Sequence, residues 1–233
     1  MRTHRAITEL AIEASEVLSR TQKRMLGRYS QMPDVDRREV VDFISPHFYD
    51  VLHKDPSFGT INDARNNAFS RFMSFTRKAL QQKDPDGFLR NLGYAAHYLQ
   101  DVATPPHTEH GNYLQKLFRL PMHIQYERGK KLGTGAKLDI LTDNFKYEDM
   151  SPSSNLSTKR EDIPKIVELL FHNTALFSVQ PENVVKYMNV SKWPTIQQKS
   201  FDRSVNVTRT YFDLMLPFMP KDSAKLEKVS YLN

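Results

Sequence analysis

From Gly87 to His107 the chain reads GFLRNLGYAAHYLQDVATPPH, and this stretch decides both the fold class and where chemistry can lie. Phe88, Leu92, Ala95, Ala96 and Leu99 recur at intervals of three and four, so a helix is predicted over Gly87 to Val102. His97 and Asp101 stand four apart within it, which puts both side chains on one face, one turn apart. An imidazole and a carboxylate so placed can grip one cation between them. Pro105 and Pro106 end the helix and carry His107 on a rigid turn. Further on, HIQYE repeats the device with His123 and Glu127. One His–acid pair at this spacing is often only a surface ion pair worth about 0.2–0.5 kcal/mol. Two pairs with a histidine between them make metal the better reading. Nitrogen and oxygen donors without sulfur suit zinc, in the open style of hydrolytic sites.

At 233 residues the chain is long enough to bury a substantial core without disulfide staples, and 39% hydrophobic with 26% charged residues is ordinary globular composition. Only 8 glycines punctuate it, which favours helices over hairpins, and the absence of cysteine excludes disulfides and thiolate metal sites. The net charge of +6 is spread along the chain, densest at Arg128, Lys130 and Lys131 just after Glu127, a run suited to a solvated face, an anionic substrate or an anionic membrane surface. No stretch approaches the roughly 20 apolar residues of a membrane span. The N-terminus is polar and unlike a signal peptide, which leaves a cytoplasmic protein or a mature chain whose leader is gone.

Other helices are predicted over Thr3 to Thr21 (stripe Ile7, Leu10, Ala11, Ala14, Val17, Leu18), Ile61 to Gln82 (Ala64, Ala68, Phe72, Phe75, Ala79) and Tyr113 to Gly129. Two more are predicted over Ile163 to Ser178 (Ile166, Leu169, Leu170, Leu176, Phe177) and Thr195 to Phe218 (Phe201, Val205, Tyr211, Phe212, Leu216). Lys83 to Gly87 is read as a turn, Gly27 to Asp36 as a break, and Gly129 to Thr158 as a loop. One all-α domain over residues 1–220 is expected, with a peripheral tail over 221–233. Three further ligand candidates lie outside the central stretch. They are His47 in the apolar segment SPHFYD, Asp34 in the turn QMPDVD, where Asp36 competes with it, and His4 at the start of the first stripe. His53, His110 and His172 lack such context and are read as ordinary.

Taken in order, THRAI, MPDVD, HFYD, HYLQDVATPPH and HIQYE resemble the zinc-dependent phospholipases C, which include the clostridial alpha-toxin type. The resemblance covers about Thr3 to Glu127 and implies a single-domain helical bundle of the phospholipase C and single-strand nuclease type, holding two to three zinc ions. By position it implies one zinc on Asp34, His47, His97 and Asp101, a second on His107, His123 and Glu127, and a third on His4 with Asp101 bridging. The implied reaction is hydrolysis of the glycerol-side phosphodiester of a phospholipid, releasing diacylglycerol and a phosphorylated headgroup. Asp34 is the candidate general base. A monomer working at a membrane or micelle surface, secreted or periplasmic, is expected, with Phe118, Leu120 and Met122 as candidate interfacial residues.

This chain departs from that family in two places. The third zinc there is also held by the amine and carbonyl of an N-terminal tryptophan, whereas this chain opens Met-Arg-Thr-His and its only tryptophan is Trp193. Met1 can serve through the same backbone atoms if its amine is free; otherwise a residue upstream of this start, or a weaker third site, is implied. Choline-binding members carry aromatics where Val35 and Ile44 stand here, so a cation–π cage for choline is incomplete. Single-strand-specific nucleases share the scaffold, but they typically have Asp where Glu127 stands and are usually disulfide-bonded. Glu127 and the lack of cysteine favour the phospholipase; a non-catalytic zinc-binding helical module is the remaining alternative.

Overall fold

The computed structural model describes residues 2–35, 47–50, 67–108, 122, 125–126, 138–147 and 159–221. These residues form an all-α fold, without a strand among them. The helices are α1 (Arg2–Ala11), α2 (Arg20–Tyr29), α3 (Ala68–Gln81), α4 (Pro85–Asp101) and the single turn α5 (Pro105–Thr108). After these come α6 (Leu138–Asp143), α7 (Ile163–Ser178), α8 (Pro181–Met188) and α9 (Trp193–Met215), with 3₁₀ turns at Met32–Asp34, Val190–Lys192 and Leu216–Phe218. No helix among the described residues is long and apolar enough to cross a membrane.

The central element is α4. Fourteen of its 17 residues are buried, from Gly87 to Asp101 with only Arg90 left out, so it is enclosed on every side rather than along one stripe. It packs against α2, α3 and α9, and α1 crosses both α2 and α9. Fully burying Phe88, Leu89, Leu92 and Leu99 contributes about 1.5–3 kcal/mol each. That offsets the cost of holding His97, Gln100 and Asp101 away from water in the same helix. Pro85 opens the helix and the Asp84 carboxylate accepts from the Gly87 N–H at 2.7 Å, so α4 begins two residues before the predicted turn ends.

Local chemistry also corrects the first helix. It stops at Ala11, and a separate α2 starts after Ser19, whose hydroxyl accepts from the Gln22 N–H while the Gln22 side chain accepts from the Ser19 N–H. This capping box lies where the sequence was read as continuous helix. Ala14 and Val17 therefore sit exposed, outside the core, and Gly27 lies within α2 rather than in a break.

In α7 the predicted boundaries hold and the predicted face is partly right, with Ile166 and Leu170 packed at the edge of the core. Ile163, Val167, Phe171, Thr174 and Ala175 point inward, whereas Leu169 and Leu176 are 56% and 44% exposed. Apolar residues encircle this helix, so its period leaves the phase open; the phase is set by Phe171, which stacks on Phe72 of α3 with ring centroids 5.0 Å apart. Of the last predicted stripe, Phe201, Val205, Tyr211 and Phe212 are buried in α9 and Leu216 is buried in the 3₁₀ turn that follows it. Two helices, α6 and α8, occupy segments not read as helical. A smaller cluster of Tyr126, Tyr187, Trp193 and Ile196 packs beside the main core. Met122 packs against it, a partly buried place rather than the freely exposed one expected of an interfacial residue.

Candidate metal centre

His97 and Asp101 project from the last turns of α4, fully and almost fully buried. A carboxylate at the C-terminal end of a helix faces the negative end of the macrodipole. The helix alone gives no reason for an acid there, but its neighbours do. Asp101 Oδ2 lies 2.8 Å from His47 Nδ1 and 3.3 Å from His97 Nε2, and Oδ1 lies 3.5 Å from His4 Nε2 and 4.0 Å from His107 Nε2. Four imidazoles thus converge on one carboxylate, from α1, the segment 47–50, α4 and α5. Asp34, on the 3₁₀ turn after α2, brings Oδ1 to 3.6 Å from His97 Nε2, which is itself 3.2 Å from His47 Nδ1.

Backbone carbonyls aim two of these rings. His97 donates from Nδ1 to the Ser30 carbonyl at 2.9 Å, and His107 donates from Nδ1 to the His47 carbonyl at 2.9 Å. A carbonyl accepts only, so each Nδ1 carries its hydrogen and each Nε2 is turned to the cluster, the arrangement seen around metal-bound histidines. The turn after α4 fixes His107: the Thr104 side chain and N–H both close onto the Asp101 carbonyl, and Pro105 and Pro106 then start α5. The Tyr49 N–H donates back to the His107 carbonyl at 2.9 Å, clamping the HFYD segment against α5.

Electrostatics in the cluster favour a cation. Burial opposes charge on His97, yet Asp101 and Asp34 together pull its pKa up to about 9. Burial would likewise raise Asp101, yet the His97 and His107 imidazoles and the His47 hydrogen bond hold it well below the usual carboxylate range. Burial and the neighbouring His97 push His4 down to about 4, against the pull of Asp101 and Asp34. In the metal-free fold a proton on His97 supplies part of the positive charge that Asp101 and Asp34 call for, and a bound cation would take its place.

The separations leave room for a bound ion. Donors about 2.0–2.2 Å from a tetrahedral ion stand roughly 3.4 Å apart. His4, His97 and Asp101 offer donor atoms all within 4.8 Å of one another, as do Asp34, His47 and His97. His107, at 4.0 Å from Asp101, lies at the margin of both groups. Of the sequence candidates, the structure brings together His4, Asp34, His47, His97, Asp101 and His107. His123, Glu127 and Met1 lie outside the described residues, as do Asp36, Ile44, His53, His110, Phe118 and Leu120. His172 sits elsewhere, with the Tyr49 hydroxyl 3.0 Å from its Nδ1 and Glu168 3.7 Å from its Nε2. Burial, with Asp50 and Glu168 nearby, pushes Tyr49 up to about 12, so its hydroxyl stays a donor to that ring.

Two supporting residues lie outside the ligand candidates. Ser30 acts through its carbonyl, which every residue possesses. Gly93 lets α4 approach α2: a Cβ there would stand 2.5 Å from Tyr29 Cβ and 3.1 Å from the Ser30 nitrogen. It lies four residues before His97, on the same face, and that spacing was the available signal.

No family model and no curated protein sequence matches the chain. Its fold is shared with solved alpha-toxins. The alpha toxin of Clostridium absonum superposes with a TM-score of 0.60 at 17% identity, covering 95% of this chain and 66% of the toxin. The alpha-toxin of an avian strain of Clostridium perfringens gives a TM-score of 0.54 at 17% identity, covering 92% of this chain and 64% of the toxin. The chain therefore spans about two thirds of the length of these toxins. At this identity the relationship is one of fold.

Proposed function

We propose that the protein is a zinc-dependent phospholipase C, cleaving the glycerol-side phosphodiester of a phospholipid to diacylglycerol and a phosphorylated headgroup. The observation that carries the proposal is the convergence of four histidines and Asp34 around the buried Asp101, on a fold shared with alpha-toxins. Asp34, His47, His97 and Asp101 would hold one zinc. His4 would hold another with Asp101 bridging, and His107 a third with His123 and Glu127. Zinc bound there supplies Lewis acidity toward phosphate oxygens and makes water acidic enough to attack near neutral pH.

The chain's own residues divide the remaining work. Asp34 has a side chain 28% exposed, against 18% or less for His4, His47, His97, Asp101 and His107. It is therefore the carboxylate that bulk water reaches, and it acts as the general base that orients and deprotonates the attacking water. The buried imidazoles keep their rings fixed through carbonyl hydrogen bonds, so the site needs little reorganisation during reaction. Val35, exposed beside Asp34, presents no π face to a quaternary ammonium. Phosphatidylethanolamine should accordingly rival phosphatidylcholine as substrate. We place the protein outside the cytoplasm as a monomer working at a lipid surface, with residues 1–220 as one domain.

The test is a side-by-side assay of headgroup release from mixed micelles and of cleavage of single-stranded DNA and RNA, with and without chelator. Chelator-sensitive headgroup release supports the proposal. Chelator-sensitive nuclease activity without headgroup release would replace it with a single-strand nuclease. Neither activity in zinc-replete protein would leave a non-catalytic zinc-binding module.

A further inference from the structure

Gln100, on α4, is 1% exposed and bridges to α1 on one side and to α9 on the other. Its Oε1 lies 2.9 Å from His4 Nδ1 on α1, and its Nε2 lies 3.0 Å from the Thr8 hydroxyl on α1 and 3.3 Å from the Thr208 hydroxyl on α9. Both threonines are fully buried. The amide has two N–H donors, and two hydroxyl oxygens stand at that end to accept them. With the nitrogen end so matched, the oxygen end is left for His4. An amide oxygen only accepts, so His4 must donate from Nδ1, which leaves the Nε2 lone pair facing Asp101. The His4 backbone is held independently: the Ser30 hydroxyl lies 3.2 Å from its carbonyl oxygen and 2.9 Å from that of Gly27.

We propose that Gln100 is a positioning residue that locks His4 in the Nδ1–H tautomer, and that through Thr208 it makes α9, which bears no ligand, part of the metal site. For His97 and His107 a backbone carbonyl does this work and survives any substitution of the residue that carries it. For His4 the lock is a side chain, and therefore removable. Only its effect on zinc rests on the metal-site reading; the tautomer itself does not.

Nitrogen-15 NMR of the histidine rings in metal-free protein reads the tautomer whether or not zinc binds. The wild type should show His4 as Nδ1–H. In Gln100→Leu, with circular dichroism confirming the fold, His4 should move to Nε2–H, for which Asp101 is the remaining acceptor. Gln100→Glu, which keeps an acceptor, should retain Nδ1–H. Zinc titration should then show one site of Gln100→Leu weakened about 10–100-fold, the others unchanged. If Gln100→Leu fails to fold, Thr208→Val, close in shape to the wild type, should still shift the tautomer balance. An Nε2–H His4 in the wild type, or a balance unmoved by these variants, would overturn the proposal. A wild type that takes up no zinc would refute the proposed function and leave the tautomer test intact.

Discussion

Replacing Gly93 with alanine should loosen helix packing and metal binding together. The new Cβ would lie 2.5 Å from Tyr29 Cβ, with the Ser30 nitrogen and the Tyr29 carbonyl carbon each at 3.1 Å, and the backbone atoms cannot swing aside as the end of a flexible side chain can. Restoring ordinary contact requires α2 and α4 to part by about 1 Å, stretching the 2.9 Å bond from His97 to the Ser30 carbonyl to roughly 3.9 Å, beyond hydrogen bonding. Overpacking of this kind costs about 1–3 kcal/mol. Replacing a helical glycine by alanine returns about 0.5–1 kcal/mol. The net is a destabilisation of between about 0 and 2.5 kcal/mol in metal-free protein, measured by urea unfolding. Loss of the carbonyl that aims His97 should weaken zinc about 10–100-fold, equivalent to about 1.4–2.8 kcal/mol, measured by competition with a chromophoric chelator. Gly27→Ala is the control, since a Cβ there meets only the Glu9 and Arg5 side chains, at 3.2 Å and beyond. It should be neutral or stabilising by up to about 1 kcal/mol, with zinc affinity unchanged. A Gly93→Ala protein as stable as wild type and with wild-type zinc affinity would refute the link from helix approach to ligand aim.

Asp101→Asn should weaken zinc by at least about 100-fold and abolish headgroup release, because four imidazoles share that carboxylate; elemental analysis showing full zinc retention would contradict the site. Zinc uptake should be proton-linked through His97: its pKa in the metal-free fold, about 9, lies above the unfolded value of 6.5, so its stabilisation is complete below pH 6.5 and lost as pH rises through 9. Calorimetry in buffers of differing ionisation enthalpy should therefore register about one proton more released from His97 at pH 7.5 than at pH 10; His4, held down to about 4, should add none. Far from the site, Tyr211→Phe should cost about 1–3 kcal/mol by stranding the buried Thr76 hydroxyl 2.9 Å away. Adding Thr76→Val should recover part of that loss, and zinc affinity should stay at the wild-type level throughout.

Helix class and the pairing of His97 with Asp101 are legible in the sequence, because a three-to-four spacing is a property of the helix itself and needs no partner; the burial of α4 on every side is not. The α9 stripe predicts the face that is buried, because its apolar phase is distinct enough to choose one side, whereas α4 is buried all round and its stripe has no face to choose. The α7 stripe predicts its face only in part, because Ile163, Ile166, Val167, Leu169, Leu170 and Phe171 surround the axis and only the Phe72 ring selects among them. The split between α1 and α2 lay within the sequence, in Ser19 and Gln22, but beneath a continuous apolar stripe that masked it. What tertiary structure alone decided is convergence. His4, Asp34 and His47 are separated from Asp101 by up to 97 residues, and no local pattern brings an α1 histidine within 3.5 Å of an α4 carboxylate. The groups that aim the ligands were likewise hidden: a carbonyl of Ser30 has no residue signature, and the space for Gly93 exists only once α2 lies against α4. Residue types set which donors the chain owns; packing of α4 against α1, α2 and α9 sets where their lone pairs point.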